Sequence, residues 1–279
     1  MKTWRLPPLS EAVAQYVECY WFLEKEPHDL SNRYPKLNPD PCAHLIIATP
    51  HNVFDYAHKE ERQSLCGSHW IFPHRQTFTM DHSSPFSILG VKFRVGALYS
   101  LFDKDPCTLI EQVHSVDVSQ LWGSTSCSPE SLLVNAAERS QQLSHRLDTY
   151  LATWIANSHE DRHSQLVRHI LQQLDKGQTI TEIGLSLHRS QRTIERSFIK
   201  VTGLTMKQVH SMNRLENLLN YLYQLGEAEI NWSDVANKYD FSDQPHLIRY
   251  LKNTIGQTPS DYAQNRDLTI DVYGDFEYL

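Results

Sequence analysis

No stretch of the chain approaches the roughly 18 uninterrupted apolar residues that a membrane-spanning helix requires. With 40% hydrophobic and 21% charged residues, it reads as a soluble globular protein long enough for two domains. The start, Met1-Lys2-Thr3-Trp4-Arg5-Leu6-Pro7-Pro8, lacks the apolar run and small-residue cleavage site of a secretory signal, so the expected compartment is the cytoplasm and no membrane partner is expected. Cysteine is scarce. Cys19, Cys42, Cys66, Cys107 and Cys127 are odd in number, lie in the first half and form no C-x-x-C pair, which argues against a disulfide scaffold or zinc ribbon and for reduced, packed thiols. Histidine is plentiful, at 15, but shows no H-x-H or H-E-x-x-H spacing, so no metal site and no cofactor are expected.

The net charge of -7 speaks against a nucleic-acid binder until its distribution is followed along the chain. Residues 1–161 and 267–279 are acidic in balance, whereas residues 162–266 carry 13 basic against 10 acidic side chains. Inside that block Arg189, Arg192, Arg196, Lys200, Lys207 and Arg214 face a single acid, Glu195. Such a local excess attracts phosphates even on an acidic protein.

In the first hundred residues His44–Ala48, Trp70–Phe72, Thr77–Met80 and Ile88–Phe93 are short apolar or alternating runs between Pro, Asp, Asn and Gly clusters. They predict strands of an antiparallel sheet or small barrel. Beyond Ser128-Pro129 the period changes. Leu133, Ala136, Ser140, Leu143, Leu147, Tyr150, Leu151 and Trp154 recur at three- and four-residue steps, which predicts an amphipathic helix of about 25 residues that either dimerises or packs on its own sheet. From Leu166 the pattern is helical throughout, with a first stop at Gly177. Thr179-Ile180-Thr181-Glu182 has capping-box spacing, and Ser190 is an N-cap for a second helix carrying Ile194, Phe198 and Val201. A longer helix with Met206, Val209, Met212, Leu215, Leu218, Leu219 and Leu222 on one stripe runs to Gly226. The two-helix unit then recurs, from Asn231 through a turn at Asp240-Phe241-Ser242 to a helix with Leu247, Leu251 and Ile255, and a last helix opens at Thr258-Pro259-Ser260-Asp261.

Two helices joined by a tight turn match the helix-turn-helix, whose second helix enters the major groove of DNA. Burying Ile194, Phe198 and Val201 leaves Gln191, Arg192, Glu195, Arg196 and Lys200 outward, with Arg192 and Arg196 one turn apart. An Arg fork suits the two acceptors of guanine, and Lys suits phosphate. In the second unit Gln244, His246, Arg249 and Asn253 are outward with Lys252 at the edge. An arginine pair on an exposed helix is in isolation more often a solvated surface than a base reader. The conjunction of two such units, a linking helix and a basic excess in about a hundred residues carries the expectation.

Trp232-Ser233-Asp234-Val235-Ala236 to Phe241-Ser242-Asp243-Gln244-Pro245-His246-Leu247-Ile248-Arg249-Tyr250-Leu251-Lys252, with Gly256-Gln257-Thr258-Pro259, resembles the signature of the AraC/XylS transcription regulators. Arg189-Ser190-Gln191-Arg192-Thr193-Ile194-Glu195-Arg196-Ser197-Phe198 and Thr202-Gly203-Leu204 resemble the family's first unit. The sequence departs from that pattern where His188 and Asp240 stand for the turn glycine, Gly184 for a supporting alanine and Leu247 for a frequent phenylalanine. By position the resemblance implies DNA-facing roles for Arg192, Glu195, Arg196, Pro245, His246 and Arg249, foremost Arg192, Arg196, His246 and Arg249.

The resemblance implies an α+β protein: a cupin-like β-barrel effector domain over 1–128, linker helices over 129–160, an all-α domain with two helix-turn-helix motifs joined by a long helix over 161–265, and an acidic tail over 266–279. Leu89–Leu98 is similar to a Gly-x-x-Phe-x-Pro-Gly stretch of such sensor domains, with Val95 in place of the proline, and Trp70, Phe72, His74, Arg75, Phe78 and Phe93 are candidate pocket residues. The implied function is a DNA-binding transcription regulator, not an enzyme, that reads a bipartite promoter site. Its implied partners are double-stranded promoter DNA, RNA polymerase, a small-molecule effector and a second copy of itself. Two rivals stand beside it: a ligand-binding or interaction module that no longer reads DNA, suggested by Glu195, Asp240 and the acidic tail, and an enzyme using Cys66 or His74.

Overall fold

A computed structural model describes residues 1–29, 33–123, 128–134, 136–138, 141–176, 178–225, 230–259 and 261. The first half is built from β1 (Lys2–Leu6), α1 (Glu11–Ala14), β2 (Val17–Lys25), β3 (Lys36–Leu37), β4 (His44–Ile47), β5 (Val53–His58), β6 (Glu61–Cys66), β7 (His69–Ile71), β8 (Phe78–Met80), β9 (Phe86–Phe93), α2 (Ala97–Leu101), β10 (Val113–Ser115) and α3 (Val118–Leu121). Among the described residues the second half is helical: α4 (Pro129–Leu133), α5 (Gln141–Ile155), α6 (Arg162–Asp175), α7 (Ile180–Ser186), α8 (Gln191–Thr202), α9 (Met206–Gln224), α10 (Trp232–Lys238) and α11 (Gln244–Ile255).

The strands form two antiparallel sheets, a six-stranded one in the order β1-β2-β9-β4-β7-β10 and a four-stranded one in the order β3-β8-β5-β6. Side chains alternate across a strand, so the six-stranded sheet feeds two cores. One face, with Trp21, Leu23, Ile46, Ile71 and Ile88, packs against Leu37, Phe54, Tyr56 and Met80 of the smaller sheet. The other, with Tyr20, Phe22, Leu45, Trp70, Leu89, Val91 and Phe93, packs against α5. Strand β2 is buried on both faces and reads VECYWFLEK with little alternation. Gly90 lets β2 and β9 close up, since a Cβ there would lie 1.9 Å from the Trp21 ring.

The four strands expected from the sequence are present as β4, β7, β8 and β9. The helix of about 25 residues expected beyond Ser128-Pro129 is divided between α4 and α5, both within the span expected for linker helices. Its apolar stripe is spent inside the molecule: Leu132, Ala136, Leu143, Leu147, Leu151 and Ile155 are buried against the sheet. Asp148, also on α5, accepts from the backbone amides of Leu9 and Ser10 and from the Tyr20 hydroxyl. It thereby fixes the start of α1. The aromatic residues considered for a pocket are mostly core. Trp70, Phe72, Phe93, Phe102 and Trp154 form one ring cluster, His74 is buried with both ring nitrogens facing main-chain carbonyls, and Arg75 pairs with Glu111 at the surface.

Among the described cysteines Cys19 and Cys42 are buried and Cys66 and Cys107 exposed. Among the described residues no helix is long and apolar enough to cross a membrane. Cys127, the stops expected at Gly177 and Gly226, most of the helix expected from Thr258 onward and the acidic tail lie outside the described residues.

Candidate nucleic-acid interface

In the first unit Thr179 and Glu182 cap α7 reciprocally: the Glu182 amide donates to the Thr179 hydroxyl at 3.3 Å and the Thr179 amide to the Glu182 carboxylate at 2.7 Å. The chain then turns through His188, at φ 50°. Ser190 caps α8 by accepting from the Thr193 amide. Burial of Ile194, Phe198 and Val201 against Val167, Ile170, Ile183 and Met206 fixes the rotation of α8 and leaves Gln191, Arg192, Glu195, Arg196 and Lys200 exposed.

The second unit repeats the geometry. Asn231 caps α10 by accepting from the Ser233 and Asp234 amides, Asp240 makes the turn at φ 56°, and Asp243 caps α11 by accepting from the His246 amide at 2.7 Å, with proline in the first turn. Leu247, Leu251 and Ile255 are buried. Pro245, Arg249 and Lys252 are exposed, and Gln244 and His246 half-buried. His188 and Asp240 hold the positive φ that the resemblance assigns to glycine.

One helix serves both units. The first half of α9 contributes Met206, Val209 and Met212 to the first core, and the second half contributes Leu215, Leu218, Leu219 and Leu222 to the second. At 19 residues it is about 28 Å long, against the roughly 34 Å between successive major grooves on one face of DNA. Arg214 staples it to the second turn: its guanidinium lies 4.3 Å from the Phe241 ring centre and 5.0 Å from that of Tyr250. It belongs to the scaffold rather than to the free basic surface.

Apart from Gln244 and Pro245, the expected site residues divide into three groups. Arg192, Arg196, Arg249 and Lys252 are exposed and make no ion pair among the described residues. Gln191 donates to Glu195 at 3.0 Å, so the acid is occupied along its own helix. His246 and Lys200 have partners within the protein. His246 packs edge-on against Phe241, with Nδ1 3.1 Å from the Ser242 hydroxyl. Lys200 sits 3.7 Å from Asp161 and 5.6 Å over the Tyr99 ring, where the hydrogen bond to Tyr99 and the Asp161 charge raise its pKa.

The ends of α8 and α11, at the left-handed Gly203 and Gly256, are seated on the N-terminal domain, which sequence reasoning missed. A Cβ on Gly203 would come within 2.9 Å of Ile110. At the other helix, Lys36 donates to the Ile255 carbonyl and Thr77 to the Thr254 carbonyl. Between them Lys92 of β9 pairs with Glu216 of α9 at 3.0 Å. These contacts join residues more than ninety positions apart, which no local pattern announces.

Residues 5–115 match a family described as a domain of unknown function (DUF6597), and residues 185–265 match the family described as a helix-turn-helix domain. No curated protein matches the chain in sequence. Solved structures of ToxT from Vibrio cholerae resemble it loosely. An apo single-residue variant is 10% identical with TM-score 0.48, covering 88% of this chain and 97% of that one. A 1.65 Å structure gives 10% and 0.46 over 94% and 96%, and an unsaturated fatty acid-bound form gives 10% and 0.41 over 99% and 96%. The likeness is too loose to carry function from one protein to the other. By its two capped helix pairs, the turn residues His188 and Asp240, the shared α9 and the match over residues 185–265, the C-terminal part of this chain is a helix-turn-helix domain.

Proposed function

We propose that the chain is a transcription regulator that reads a bipartite promoter site, one half with α8 and the other with α11. The observation that carries the reading is the disposition of Arg192, Arg196 and Arg249, exposed on the outer faces of two helices tied to one bridging helix. A helix-turn-helix offers bases the N-terminal part of its second helix, and here the N-terminal halves of α8 and α11 are open while their C-terminal ends are held. Arg192, Arg196 and Arg249 supply forks for guanine, Gln244 an amide for adenine, and Lys252 a phosphate contact. Gln191 and Glu195 order the first helix, near whose end Lys200 meets Asp161 and Tyr99, and Pro245 presets the start of the second, where His246 packs on Phe241. The basic excess of residues 162–266 supplies attraction to the duplex, and the N-terminal domain supplies control by an effector that shifts the population able to bind.

The test is selection of bound genomic fragments by the full chain, followed by titration of the selected site. Arg249→Ala is expected to lose roughly 1–3 kcal/mol at one base pair and relax preference there, whereas Lys252→Ala weakens all sequences alike and lowers the salt slope by about 1. Binding without sequence preference, unaltered by Arg192→Ala and Arg249→Ala, would reject the reading in favour of an interaction module.

A further inference from the structure

Between the six-stranded sheet and helices α6 and α9 lies a cavity of about 810 Å³, within the range of small-molecule sites. Its lining is charged from both halves of the chain: Arg5, Glu18 and Lys92 from the strands, Glu11 from α1, Arg94 just after β9, Arg168 from α6 and Glu216 from α9. Lys92 is buried, 3.3 Å from Glu18 and 3.0 Å from Glu216, and Arg5 is buried with its guanidinium 2.6 Å from Glu18. Asp40 lies close enough to Lys92 to feel its charge. Lys92 and Arg5 are therefore balanced by Glu18 and Asp40 within the N-terminal domain itself. Glu216 adds a further negative charge beside Lys92, and it belongs to the helix that carries both DNA-reading units.

We propose that this cleft binds a small organic acid with at least two carboxylates, one of which takes the place of Glu216 on Lys92. Glu18 and Asp40 keep Lys92 charged and in place when Glu216 leaves, so the receiving cation is preorganised. Burial raises the Glu216 carboxyl above its ordinary range, opposed by the nearby Lys92. A second carboxylate finds Arg94, two residues beyond Lys92 and just past the end of β9, which lines the same cleft. Arg94 spends its Nε on the Ala14 carbonyl at 2.7 Å, and its terminal nitrogens have no partner among the described residues. The preference for a polar polyanion follows from these cations. Displacement of Glu216 removes the central link between the N-terminal sheet and α9, and this coupling, unlike the binding itself, rests on the DNA-reading role.

The test is calorimetry on the full chain without DNA, using succinate, glutarate and citrate at constant ionic strength. The expectation is saturable binding that Glu216→Gln tightens several-fold, that Lys92→Met weakens by more than about tenfold, and that Arg94→Ala, at an exposed position that spares the fold, weakens several-fold. No heat with any of the three acids overturns the proposal. So does equal affinity across the variants, which would mark binding elsewhere on the basic surface, and so does sulfate or pyrophosphate binding as well with the same variant dependence. Binding as expected but without effect on DNA affinity would leave the site standing and remove its regulatory role.

Discussion

His188 and Asp240 occupy matching places in the two turns, and both adopt the left-handed backbone, at φ 50° and 56°. That conformation costs an L-residue roughly 1–2 kcal/mol, least for Asn and Asp. His188→Gly and Asp240→Gly should therefore leave stability unchanged or raise it by up to about 1 kcal/mol, whereas Asp240→Val should lower it by more than about 1 kcal/mol, as read by chemical denaturation. A stabilising Asp240→Val would contradict the turn geometry. Gly90 is bound by space rather than by φ. The Trp21 ring fills the place of its Cβ, so Gly90→Ala must displace an indole in a closely packed core and should cost about 1–3 kcal/mol or more.

Helix α5 shows how an element's apolar stripe finds its use. Its period is compatible with a coiled coil, but Leu143, Leu147, Leu151 and Ile155 fill the core against the six-stranded sheet. Leu147→Ala should destabilise the N-terminal domain by about 2–5 kcal/mol, with no change of mass in sedimentation; a shift of oligomeric state without loss of stability would mean the stripe meets another copy. At α11 the carbonyls of Thr254 and Ile255, two of the acceptors every helix end leaves unsatisfied, are met by Thr77 and Lys36 from the edge of the four-stranded sheet. The double substitution Lys36→Met with Thr77→Val should free that end. Its expected effect is a full chain that tolerates half-sites moved along the DNA better than the parent does, measured by competition between sites of different spacing. Undiminished discrimination would show that α9 sets the spacing unaided.

At the scale of the whole molecule, the N-terminal sheets enclose histidines that are held neutral. Burial pushes His69 down to about 4 and His82 down to about 3. The unfolded chain takes up protons near pH 6.5 while the folded chain resists, so stability contributed by these groups is complete above pH 6.5 and is lost as pH falls toward 4. The melting temperature should fall across that interval, and a flat profile there would contradict the burial of both rings. How much of this was legible in the sequence depends on range. The helical half, its caps at Thr179, Ser190 and Asn231, and the outward faces of α8 and α11 are written in steps of three and four residues, because a helix satisfies its backbone within itself. Strand β2 was not legible because both its faces are buried and alternation disappears, nor was the β5–β6 hairpin, whose turn at Lys59, φ 54°, carries no glycine signal. The amino-acid order by itself determined two capped, basic helix pairs on a common helix. Tertiary structure decided that α5 packs inward, that Lys200 meets Asp161 and Tyr99, and that Lys92 meets Glu216 across 124 positions, because such contacts arise from which surfaces meet one another and leave no periodic trace along the chain.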